Sequence, residues 1–153
     1  MFNFFKPDEA KIYRELLKIS VRKGGILTTY DIRKISNSDI VKSYLNRMSE
    51  QGVLTINVSD GANIEYMFPA VPRSYKPYKP VNLDEFFQAL SEKGYHTEDG
   101  HVFLSEIIFA FDMELSDIIE ALEMYCENEW ITKNISKSGN VYFMFDKELM
   151  EKR

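Results

Sequence analysis

Cysteine is almost missing from this chain. One thiol, Cys126, among 153 residues excludes an internal disulfide and points to a reducing, cytoplasmic setting. Long apolar runs are missing as well: nothing approaches the roughly 18 consecutive apolar residues of a membrane span. The opening Met1-Phe2-Asn3-Phe4-Phe5-Lys6 is apolar but brief and has no basic leader. It reads as an arm packed on the body or on a partner, not as a signal peptide. There is no glycine-rich phosphate loop, no GxSxG and no CxxC. Carboxylates are abundant but scattered, and none forms an evident acid/base pair. No catalytic residue and no cofactor are therefore assigned, and the chain reads as a non-enzyme. The two histidines fall in one stretch, His96-Thr97-Glu98-Asp99-Gly100-His101. Imidazole and carboxylate suit zinc, but the spacing matches no standard metal motif, so the stretch reads as a polar loop and no metal ligand is assigned. Cys126 has no basic neighbour in sequence to activate it and reads as a structural thiol.

What is present is ordinary globular material, 44% hydrophobic and 28% charged. That is too apolar for disorder. The length suits one ordinary domain or two very small ones. Four of the five prolines lie between Pro69 and Pro80, which marks an extended, semi-rigid linker.

The chain repeats itself. Asn63-Ile64-Glu65-Tyr66-Met67-Phe68 returns as Asn140-Val141-Tyr142-Phe143-Met144-Phe145. The same shift sets Leu45 on Leu122, Glu50 on Glu127, Thr55 on Thr132 and Asn57 on Asn134. One structural unit is written twice.

In the first copy, Ile12, Leu16 and Ile19 have helical spacing over Glu9 to Lys23, and Gly24-Gly25 ends that helix. Ile26-Leu27 is a short extended piece. Thr28 caps a second helix to Ile35, and Asp31 completes a capping box in place of the usual Glu. After the turn Ser36-Asn37-Ser38, a third helix from Asp39 to Gln51 buries Val41, Leu45 and Met48. Val53 to Ser59 and Ile64 to Phe68 alternate around a glycine-containing turn, as a hairpin does. In the second copy, Leu83, Phe86, Phe87 and Leu90 set the first helix. Gly94 to Gly100 is a loop and Val102 to Leu104 a strand. Ser105 caps helix two, Glu106 to Phe111. Helix three runs from about Ser116 to Glu129, burying Ile118, Leu122 and Tyr125. Trp130 to Phe145 is a hairpin turning at Lys137-Ser138-Gly139.

Helix, short strand, helix, tight turn, helix and hairpin resembles the winged helix-turn-helix superfamily. The stretch Val41, Leu45, Met48 and Gly52-Val53-Leu54 resembles that family's passage from recognition helix into wing. The resemblance implies an α+β, mainly α chain of two winged helix-turn-helix domains in tandem, each with three helices and a β-hairpin wing. The expected division is a basic domain 1–68, a Pro-rich linker 69–81 and an acidic domain 82–153. Each unit is small for a self-sufficient core, so the two are expected to pack together or the protein to dimerise.

Charge separates the copies. Residues 1–79 carry thirteen Lys/Arg against eight Asp/Glu, whereas 80–153 carry six against sixteen. In winged helices of this kind the outer face of helix three enters the DNA major groove. Copy one offers Lys42, Ser43, Asn46 and Arg47 there, with Arg33 and Lys34 upstream on helix two to grip the backbone. Copy two has Ile119, Glu120, Glu123 and Met124 at the matching positions, the wrong sign for phosphate. Helix two of copy two, Ile107-Ile108-Phe109-Ala110-Phe111, is apolar around most of its circumference. Ile108, Phe111, Ile119 and Met124 are thus candidates for a protein interface, with a homodimer or another partner as occupant. Packing of copy two on copy one inside a monomer is the equal alternative.

Two functions follow from the resemblance, the first as the leading expectation and the second as its alternative. One is a DNA-binding regulator or a replication or partition accessory that docks on double-stranded DNA through copy one. The other is a non-catalytic assembly module without nucleic acid. Tandem winged helices of the latter kind occur in bacterial chromosome-segregation complexes and in the endosomal sorting machinery.

Overall fold

The computed structural model describes residues 9–34, 38–60, 63–69, 77–95 and 100–145, with the side chains of 9–12, 38, 59, 60, 63 and 95 left aside. The Met1–Lys6 arm, Ile35, the Ser36-Asn37 turn, the Gly61-Ala62 wing tip, residues 70–76 of the linker and the His96–Asp99 stretch lie outside them.

The first unit contains α1 (Glu9–Val21), β1 (Ile26–Thr28), α2 (Thr29–Arg33), α3 (Ser38–Glu50), β2 (Thr55–Asp60) and β3 (Asn63–Met67). The second contains α4 (Leu83–Tyr95), β4 (His101–Phe103), α5 (Leu104–Ala110), α6 (Leu115–Glu127), β5 (Ile131–Ile135) and β6 (Val141–Phe145). Each unit carries a three-stranded antiparallel sheet, ordered β1-β3-β2 in the first and β4-β6-β5 in the second. The registers correspond: Leu27 faces Tyr66, and Val102 faces Phe143. All four side chains are buried, so the alternation of the strands fixes the register.

Local chemistry explains the boundaries. The chain leaves α1 through Gly24 and Gly25, both at positive φ, and the Gly25 N–H donates to the Ser20 carbonyl. At α2 the capping box is complete. The Asp31 N–H donates to the Thr28 hydroxyl, and the Asp31 carboxylate accepts from the Thr28 N–H at 3.0 Å.

Four details of the sequence reading are corrected. Gly94 does not open a loop but lies inside α4. Its missing side chain admits the Phe145 ring, which a Cβ there would meet at 2.6 Å. Ser105 does not cap α5. The extended Phe103 does, and the Glu106 carboxylate accepts its N–H at 3.1 Å. The Ser105 hydroxyl is instead buried with no hydrogen-bond partner among the described residues. The equivalent caps, Thr28 and Phe103, are 75 residues apart rather than 77, because α5 has seven residues where α2 has five. Leu83 does not point into the core: it is 48% exposed in the first turn of α4, its carbonyl accepting from the buried Tyr125 hydroxyl. Val53 and Leu54 precede β2 rather than belonging to it, and both are fully packed.

The two units share one connected apolar core. α1 lies against α5. Between them Arg14, 4% exposed, donates from Nη1 to the carbonyls of Ile108 (3.5 Å), Phe111 (3.0 Å) and Met113 (3.1 Å). These oxygens close the C-terminal end of α5, where a helix has unpaired acceptors and favours a cation. A second tie is backbone to backbone: the Val141 N–H donates to the Gly52 carbonyl at 2.8 Å. A third joins the hairpins, the Thr55 hydroxyl donating to the Ser138 carbonyl at 3.2 Å.

Candidate functional site

The proposed DNA face is α3. Ser43, Asn46 and Arg47 are exposed on it and Lys42 is half-buried. Arg33 and Lys34 are exposed at the end of α2. The Lys34 ammonium sits 4.2 Å from the centre of the exposed Tyr30 ring, and the Arg47 guanidinium 5.7 Å from that of Tyr44. The six residues are therefore accessible on neighbouring helices. Asp39 and Glu50 are also exposed on α3. They cancel Lys42 and Arg47, so the helix face has no net charge to offer phosphate.

Ile108 and Phe111 are buried inside the chain. Phe111 packs edge-on to Phe86 at 4.8 Å, and the carbonyls of both Ile108 and Phe111 are held by Arg14. Phe111 is thus packed within the second unit, while α1 lies against α5, the helix that carries Ile108.

Ile119 and Met124 remain open to the surface, but on opposite flanks of α6. Ile119 lines a groove of about 540 Å³ with Leu122 and Cys126 of α6, Ile135 and Val141 of the second sheet, and the α3 end at Glu50 to Gly52. Ile135 is 65% exposed at the end of β5. Glu123, Glu127 and Lys133 supply charge to this groove. Burial raises the Cys126 thiol above its ordinary pKa; Lys133 opposes that shift and Glu123 adds to it. The thiol is protonated at neutral pH and suits a packing role rather than a nucleophilic one.

Met124 lines a separate groove of about 770 Å³ between α6 and the start of α4. Its walls include Leu83 of α4 and Asp117, Glu120 and Ala121 of α6. The linker end closes it. There Tyr78 pairs with the α5–α6 turn, its N–H donating to Ala110 and its carbonyl accepting from Asp112, both at 2.8 Å. The Tyr78 hydroxyl also donates to the Glu85 carboxylate.

Neither groove nor the buried Arg14 was identified from the sequence. The only signal was the exposed apolar pair Ile119 and Met124, and their separation onto two flanks needs the helix in place. Among the described residues no cluster of His, Cys, Asp and Glu is arranged to hold a metal ion. His101 stacks beside Tyr142 with ring centres 4.7 Å apart. No described helix is long and apolar enough to cross a membrane.

The architecture defines the class: two winged helices in tandem, each with three helices and a sheet whose last two strands form the wing. No protein-family model matches the chain, and no curated protein matches it. Among solved structures it is similar to a chain of an Nse1-Nse3-Nse4 complex. The identity is 12% and the TM-score 0.36, over 95% of this chain and 71% of that one.

Proposed function

We propose that the chain is a non-catalytic assembly module, a fused pair of winged helices that holds protein partners rather than DNA. One observation carries the reading: Glu50, at the end of α3, lines the same groove as Glu123 and Glu127 of α6. A duplex carries one negative charge per about 1.7 Å of its axis. A duplex laid along α3 would bring its phosphates toward these carboxylates, and the α3 face has no net positive charge to compensate. Partner proteins face no such penalty, and the apolar grooves on both flanks of α6 offer them surface to bury.

Fluorescence anisotropy of the purified protein with random duplex DNA, across a salt series, tests this. The expected result is no binding even at low salt. Binding that weakens steeply with salt and is abolished by Lys42→Glu with Arg47→Glu would overturn the proposal in favour of major-groove docking by α3.

A further inference from the structure

The larger groove, between α4 and α6, is shaped and charged for one kind of occupant. Along its α6 wall Asp117, Glu120 and Met124 recur at helical spacing, so they form one seam. Ala121 lies between them with only a methyl group, which lowers the floor to the helix backbone. Leu83 faces it from α4, and Met124 is 37% exposed at the rim. A helix laid into such a trough approaches within the roughly 8–10 Å between axes at which side chains interlock.

The rim charge is one-sided. Asp112, Glu114, Asp117 and Glu120 stand against Lys79 alone. Asp112 is paired with Arg14. No ion pair among the described residues reaches the other three carboxylates.

We propose that this groove docks an amphipathic helix of a partner protein whose apolar stripe is flanked by Lys and Arg. The stripe covers Leu83, Ala121 and Met124, and the basic flank meets Glu114, Asp117 and Glu120. Complementary rim charge steers association as well as fixing orientation. A second copy of this chain is a poor occupant. Lys18 of α1 and Arg22 just past its end are exposed, but the apolar face of α1 is buried in its own core, and the exposed charges of α3 cancel.

This inference rests on the assembly reading, and two labelled peptides separate them. One is a short Leu/Lys amphipathic helix; the other has the same apolar stripe with Glu in place of Lys. Anisotropy is expected to show binding of the Leu/Lys peptide only. Reversing Glu114, Asp117 and Glu120 to Lys together should weaken it by about tenfold or more, as expected when several complementary charges are lost. Reversing Glu123 and Glu127 on the other flank should leave it unchanged. Met124→Asp should weaken it too, although it adds negative charge, because an apolar contact of the stripe is lost. Equal loss from either flank, no loss from the triple change, or tighter binding by Met124→Asp would overturn the proposal. So would a dimer in sedimentation velocity that Met124→Asp dissolves, since a second copy would then fill the groove. Failure of the peptides without DNA binding removes this groove alone, whereas DNA binding through α3 removes the assembly reading itself.

Discussion

Arg14 is a charged side chain with almost no contact with water, and its guanidinium donates to three carbonyl oxygens. Its ion-pair partner Asp112 is 55% exposed. Truncation to alanine leaves acceptors buried and unpaired, so Arg14→Ala is expected to cost about 2–4 kcal/mol in urea unfolding. Arg14→Lys should recover only part of that, since an ammonium cannot fork across the carbonyls. Asp112→Ala should cost less than about 1 kcal/mol, as exposed pairs do. Arg14 was illegible in the sequence. A basic residue on an amphipathic helix looks like solvated surface, and its acceptors lie 94 to 99 residues away.

Asp31 was legible at the same scale, because a capping box needs only two residues at a fixed spacing. Its carboxyl is held below the ordinary 3.8, first by the Thr28 N–H, then by the Thr28 hydroxyl and Lys23, against burial that raises it. The folded state therefore binds this proton more weakly than the unfolded chain. The stabilisation is complete above the unfolded value and lost as pH falls through the folded one. Asp31→Asn is expected to lower stability by a constant amount from neutral pH to about pH 5, with the deficit shrinking at more acid pH. Urea midpoints for both proteins across that range check it.

Among the elements, the helices were readable because periodicity, glycine stops and the repeat agreed with one another. The repeat did not reach the second cap. Its 77-residue shift holds from about Val41 onward, and the two extra residues of α5 lie upstream of the matched stretch in the second copy, so it gave no guide to Phe103. Gly52 shows a second limit. It reads as a helix stop, and its φ of +79° agrees. Its other role is at the inter-unit contact: a Cβ there would lie 2.4 Å from Val141 Cγ2 and 3.0 Å from Val141 N. Gly52→Ala should cost roughly 2–4 kcal/mol, combining backbone strain with the clash. The sole tryptophan, Trp130, reports on the second unit. In the parent protein its fluorescence and far-ultraviolet dichroism should change together on unfolding. In Gly52→Ala the two transitions should separate as the units lose their shared boundary.

For the whole molecule, the apolar excess of the second unit was visible in the sequence, but its destination was not. Burial against the same chain and burial against another chain leave the same composition. The structure divides the set: Ile108 and Phe111 go inward, while Ile119 and Met124 stay on two separate flanks of α6. The charge asymmetry was also plain from counting, whereas the closeness of Glu123 and Glu127 to the end of α3 depends on how the units dock.

That docking uses the second hairpin itself. Val141 and Ser138 are bonded to Gly52 and Thr55, so this wing is a strut rather than a free arm. No pliant joint is left between the two sheets at that point. A molecule seated on α3 and another seated beside α4 would then meet at a separation and angle set by the strut. Their effective concentration would follow from that geometry, not from the reach of a tether, and lengthening the Pro-rich segment would not alter it.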